Sequence, residues 1–216
     1  KISKTPELSV VFIDYIALIK DFTDGSQDEI LRKLKYKNKR RHCSLKSCNF
    51  ARNSTTEDMK KIKNPWIDLA DKGYNCFACA PSNPYGLKME FYEDGDEIVS
   101  LWTPGSNYQG WLDTLHGGIQ ATLLDELGGW IIARKFQTSG MTTSLNMKYR
   151  KPIPTGENIT LEIRGRVKEV KRMFVFIEAE IIYDGEVRSS AEMTYYTFPK
   201  DVAERDFMFN GCEIEE

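Results

Sequence analysis

A histidine, two glycines and an acid in one stretch are the residues best placed for chemistry. His116-Gly117-Gly118 runs through Ile119-Gln120-Ala121-Thr122-Leu123-Leu124 to Asp125. Paired glycines permit a sharp turn and a close approach to the backbone. If a helix starts there, its first N–H groups lack intrahelical acceptors, and the positive end of its dipole favours an oxyanion. Asp125 stands among Leu123, Leu124, Leu127, Trp130 and Ile131. A carboxylate in such company is costly without a partner or a task. Its helical neighbours would be Ala121, Thr122, Gly128 and Gly129, small residues that let another backbone or a slender ligand reach the acid. An N–H that polarises an electrophile and a carboxylate facing one cleft suit acyl transfer or hydrolysis. The plainer reading, a tight turn before a helix with one satisfied polar residue, stays open on this pattern alone.

The surrounding patterns say what must hold these residues. Apolar periodicity predicts a central helix over about 118–136. Ahead of it lie a short helix at 66–72 and a turn-rich loop, Cys76-Phe77-Ala78-Cys79-Ala80-Pro81-Ser82-Asn83-Pro84-Tyr85-Gly86. Two strands are expected over 87–92 and 97–103, joined at Glu93-Asp94-Gly95-Asp96. An irregular loop, 104–115, leads to the helix. Four more strands are expected over 142–150, 158–170, 173–183 and 186–198, the last two joined at Asp184-Gly185. One long apolar helix with an antiparallel sheet of about six strands is an α+β layer arrangement.

Composition narrows the function classes. The formal charge is −2 overall, but residues 1–58 hold 12 basic and 8 acidic side chains, leaving 18 and 24 for the rest. That balance gives no reason to expect nucleic acid as a partner. Five cysteines form no regular disulfide framework, which points to a reducing, cytoplasmic setting. The longest apolar run, 8–19, contains Asp14 and is too short to span a bilayer, so no membrane partner is expected. Residues 1–58 carry a basic run over 33–41 and a polar tract, and are expected to be an appendage or linker; Met59 would be an ordinary start. The functional domain is placed at 59–199, with 200–216 as a loose C-terminal tail.

From Cys76 to Phe198 the sequence resembles hotdog-fold acyl-CoA thioesterases of the phenylacetic-acid-degradation type. Three pieces carry the likeness: Cys76-Phe77-Ala78-Cys79 with Asn83-Pro84-Tyr85-Gly86-Leu87; Gln109-Gly110-Trp111 leading to His116-Gly117-Gly118 and Leu124-Asp125-Glu126; and Thr142-Thr143-Ser144-Leu145 running to Arg150-Lys151-Pro152-Ile153 and Thr155-Gly156. The resemblance implies a hotdog fold, a curved antiparallel sheet wrapped around one long central helix. It implies hydrolysis of an acyl-CoA thioester in a homodimer, often paired into a homotetramer, with active sites between subunits.

Residue by residue, the resemblance makes Asp125 the general base or nucleophile and the Gly117 N–H the group that polarises the carbonyl, with His116 shaping the turn. Relatives place Asn or Gln six residues before the histidine, where this chain has Gly110; Gln109 is the stand-in. Thr142 or Thr143 matches a hydroxyl that relatives supply from the partner subunit, with Thr142 preferred. Gly118, Thr143, Trp111, Arg150 and Lys151 are the substrate-binding candidates, the last two for coenzyme A phosphates. Trp111, Trp130, Ile131 and Met141 suggest an apolar tunnel for the acyl group. No metal and no redox cofactor is expected: Cys76 and Cys79 read as turn cysteines, although Cys-x-x-Cys is also a normal zinc half-site. A non-catalytic acyl-CoA-binding module and a hydratase on the same fold remain the rival readings.

Overall fold

In the computed structural model, residues 59–215 are described. The expected appendage, 1–58, lies outside them. Besides short 3-10 turns at Ile67–Lys72 and Ser106–Tyr108, the described residues form nine strands and two α-helices in the order β1 (Lys60–Lys61), β2 (Tyr92–Asp94), β3 (Glu97–Trp102), β4 (Gln109–Trp111), β5 (Thr114–Leu115), α1 (Gly117–Phe136), β6 (Gly140–Tyr149), β7 (Leu161–Lys171), β8 (Phe174–Tyr183), β9 (Glu186–Thr197) and α2 (Lys200–Phe207). Seven strands form one sheet in the order β1-β2-β3-β7-β8-β9-β6, antiparallel throughout. Strands β4 and β5 make a separate small hairpin. This is the α+β hotdog arrangement expected from the sequence.

Helix α1 is enclosed because most of its circumference is apolar. Leu123, Leu124, Leu127, Ile131 and Ile132 are fully buried, each contributing about 1.5–3 kcal/mol. The helix contacts β3, β6, β7, β8 and β9. Period-two alternation supplies the facing layer: Val175, Ile177, Ala179 and Ile181 on β8 are buried, as are Ala191, Met193 and Tyr195 on β9. Register puts Ile177 opposite Met193 and Ala179 opposite Ala191, so the two sets share one face. Gly165 on β7 is where the layers come closest; a Cβ there would lie 2.8 Å from Ala179 and 3.1 Å from Leu127. Register shifts in β6, β7 and β8 bend the sheet around the helix.

Two expectations need correction. The segment 87–92 keeps its alternation, with Leu87, Met89 and Phe91 buried, but only Tyr92 belongs to a strand. The Leu87 and Met89 N–H groups donate instead to the carbonyls of Phe77 and Ala78. Residues after Pro199 are not a loose tail. They form α2, bury Ala203, Phe209 and Cys212, and return to the sheet edge through Lys63 N–H to Glu213 O and Glu215 N–H to Lys61 O.

The C-terminal end of α1 is clamped to β2 by Glu93, which accepts from Arg134 Nη2 at 2.8 Å and from Lys135 Nζ at 2.5 Å. Burial alone would raise the Glu93 carboxyl, but Lys135 and Arg134 together outweigh it and hold the pKa below the usual value. A depressed folded-state pKa means that the clamp contributes fully above the ordinary carboxylate range and is lost as pH falls through the lowered value. Glu93→Gln is therefore expected to cost about 2 kcal/mol at neutral pH. In urea unfolding the difference from wild type should shrink as pH drops below about 4; a gap that stays constant to low pH would contradict the clamp.

Candidate active site

Helix α1 starts in a cap built by His116. Its backbone is extended, at φ −61° and ψ 134°, and its Nδ1 accepts from Gly118 N–H at 2.8 Å, which places the ring proton on Nε2. The His116 carbonyl accepts from Ile119 and Gln120 N–H. Among the first-turn donors this leaves the Gly117 N–H without an acceptor among the described residues. A Cβ on Gly118 would lie 3.0 Å from His116 Nδ1, so the cap fits best with glycine there. The loop before the helix is pinned by Leu115 N–H to Ile153 O at 2.8 Å and by Tyr149 Oη to Gly117 O at 3.1 Å. Buried Gln120 adds a donation to Leu115 O and accepts from Ser189.

Two turns further on, Asp125 Oδ1 accepts from Thr142 Oγ1 at 2.7 Å and from Tyr195 Oη at 3.1 Å. The same phenol also bonds the Asp125 carbonyl. Burial, then the nearby Asp125 charge, holds the Tyr195 phenol well above its ordinary pKa, so it stays a donor. The small-residue patch beside the acid is thus half filled from within: a Cβ on Gly128 would lie 2.7 Å from the Tyr195 ring, whereas one on Gly129 would meet nothing within 4 Å. Thr142 reaches the acid of its own chain. Thr143 is the extra residue at the β6 register shift and donates to Thr194 O at 3.0 Å, away from Asp125.

Residues 112–189, from the β4–β5 turn into β9, match the family profile of the thioesterase superfamily. That match takes in β5, α1 and β6 to β8, and the domain they belong to has the hotdog fold. The crystal structure of a thioesterase superfamily protein aligns over 89% of this chain and 85% of its own, at 18% identity and a TM-score of 0.52. Zebrafish thioesterase superfamily member 2 aligns over 61% and 98%, at 18% identity and 0.50. A Streptococcus mutans protein, solved bound to acetyl-CoA, aligns over 52% and 90%, at 18% identity and 0.47. No curated protein sequence matches the chain.

The other candidates of this hotdog domain scatter. Gln109 Oε1 accepts from Asp113 N–H at 3.2 Å and so braces its own hairpin. Trp111 stands 83% exposed beside equally exposed Leu112. Lys151 pairs with Glu186 at 2.8 Å, and Arg150 donates to Ser190 Oγ at 3.2 Å; both are surface residues. The expected acyl tunnel is not assembled within the chain. Trp130 is stacked on Phe91 with ring centroids 4.3 Å apart, Ile131 is core, and Trp111 and Met141 are exposed.

Sequence reasoning missed Tyr195 and set Glu126 aside in favour of Asp125 on spacing. Glu126 points about 100° around the helix from Asp125, where it accepts from Trp130 Nε1 at 3.0 Å and lies 3.7 Å from Cys76 Sγ. Burial raises its pKa, and hydrogen bonds from the thiols and the indole only partly offset this. The Cys76 thiol is held below its usual value, chiefly by its hydrogen bond with Cys79.

A pair of glycine substitutions separates the two halves of the patch. Gly129→Ala is expected to stabilise by roughly 0.5–1 kcal/mol through helix propensity. Gly128→Ala gains the same propensity but pushes the Tyr195 ring, an overpacking cost of about 1–3 kcal/mol, so its net effect should be destabilising. Urea unfolding of both checks this; equal stabilisation by the two would mean that Tyr195 is not locked over Gly128.

Proposed function

We propose that this domain hydrolyses an acyl-CoA thioester to free acid and coenzyme A, in a site completed by a second copy of the chain. The observation that carries the reading is the pairing of a tethered carboxylate with an unspent N–H on one rigid helix of a thioesterase-superfamily domain. Every described hydrogen bond to the Asp125 carboxylate falls on Oδ1. Oδ2 is left to take a proton from water or to attack the carbonyl carbon itself. The Gly117 N–H donates to the carbonyl oxygen as it gains negative charge, helped by the helix N-terminus. The tetrahedral intermediate then collapses with loss of the coenzyme A thiolate; water attack gives the free acid directly, whereas attack by Asp125 gives a mixed anhydride that water then hydrolyses.

One chain does not supply both groups to one carbon. Gly117 and Asp125 are separated by eight residues of α1, which is about 12 Å of helix rise. A reacting carbonyl needs its donor and its base each within hydrogen-bond reach. A two-fold pair in which one copy's helix start meets the other copy's Asp125 meets that requirement. Exposed Trp111 and Leu112, at the loop that enters α1, are apolar surface for such a partner or for the acyl group.

The test is thiol release from short, medium, long and aromatic acyl-CoAs by wild type and Asp125→Asn. The substitution keeps the shape of the carboxylate and removes its basicity, so kcat should fall about 10²–10⁴-fold while KM changes little. Turnover unchanged in Asp125→Asn would remove this acid from the mechanism. Tight acyl-CoA binding with no turnover by wild type would replace hydrolysis with binding.

A further inference from the structure

Outside the Asp125 site, one cluster among the described residues combines metal-ligand chemistry with partial burial. The Cys76-Phe77-Ala78-Cys79 turn faces Glu126 on α1, and a sulfur from each cysteine and a carboxylate oxygen all lie within 4.8 Å of one another. Cys76 Sγ is 3.7 Å from Glu126 Oε1 and 3.8 Å from Oε2. A tetrahedral zinc ion with its usual bond lengths to sulfur and oxygen needs ligand atoms about 3.5 Å apart. The cluster is thus close to a ligand edge before any ion arrives.

Both sulfurs sit among polar groups, and Cys76 Sγ donates toward the Glu126 carboxylate. Cys79 N–H donates to Cys76 Sγ at 3.3 Å. Tyr74 Oη lies 2.9 Å from Cys79 Sγ, a contact in which either atom can donate, and accepts from Asn64 Nδ2 at 3.1 Å. Trp130 Nε1 fixes Glu126 by one oxygen and leaves the other for a ligand bond. Hydrogen bonds of this kind orient metal ligands from behind. A plain turn needs neither the carboxylate nor the phenol beside its sulfurs. Cys79 is buried, while Cys76 and Glu126 are partly exposed, which gives an ion a way in.

We propose that Cys76, Cys79 and Glu126 bind a divalent cation of the zinc class, with two thiolates and one carboxylate oxygen as protein ligands and water in the fourth position. Binding forms two metal–sulfur bonds and one metal–oxygen bond and releases the two thiol protons to solvent. The ion would staple the 76–79 turn to α1 one residue from Asp125.

The test uses the full chain. Reduced and stripped of metal, it is titrated with Co2+ and then with Zn2+ against a chromophoric chelator. Because Cys43 and Cys48 are also present, the same titrations are run on Cys43→Ser/Cys48→Ser. The expected result is one equivalent of metal, with a thiolate-to-cobalt charge-transfer band, in wild type and in this double variant. Zinc affinity should fall at least tenfold in Cys76→Ser and in Glu126→Gln, and thermal melting before titration shows which of these is folded. The proposal is overturned if wild type gives no thiolate-to-cobalt band, if Cys76→Ser and Glu126→Gln bind as wild type does, or if only the Cys43/Cys48 variant loses the metal.

Discussion

A carboxylate on a buried helix must be given hydrogen-bond donors or lose its charge, and α1 carries two in succession. The surrounding fold is arranged around that requirement. Asp125 and Glu126 are about 100° apart around the helix, so no single partner serves both. Asp125 is met by Thr142 from β6 and Tyr195 from β9, and Glu126 by Trp130 and the 76–79 turn. Strand order makes the first meeting possible, since β9 lies beside β6 and Thr142 pairs with Tyr195 in register. Gly128 makes it close, because any larger residue would hold the Tyr195 ring away from the helix.

The helix and most of the sheet were legible in the sequence because their signals are local. His116-Gly117-Gly118 marks the start, and the apolar run ends where Gln137 turns left-handed at φ 51°. Long alternating runs place β6 to β9 within a few residues of their observed ends. Where the reading went astray, the cause was a distant partner. Alternation over 87–92 reported burial, yet burial does not say whether a ladder strand or a turn takes the backbone groups. Phe209 and Cys212 are isolated apolar residues in a polar segment, and only their return to the edge beside β1 makes them core.

The same distinction divides the site. The His116 cap and the place of Asp125 on the helix follow from neighbours within ten residues. Tyr195 is 70 residues from Asp125, and Cys76 is 50 from Glu126, so neither pairing has a local signature. Trp130 and Ile131 looked like pocket lining by residue type, but Phe91 and the sheet claim them. Gln109 likewise sits in a promising loop and spends its carbonyl on Asp113.

The rigidity of α1 makes the proposed two-copy site directly measurable. Gly117→Pro removes the N–H at a first-turn helical position that tolerates proline, after a His116 whose extended backbone suits a following proline. Asp125→Asn removes the base. If each site takes its N–H from one copy and its acid from the other, a mixed dimer of these two variants has one site with both defects and one with neither. Co-assembling the two inactive proteins should then restore about a quarter of wild-type thioester hydrolysis, from random pairing into two-fold dimers. Mixed dimers that form but stay as inactive as their parents would contradict the assembly of the site from two copies.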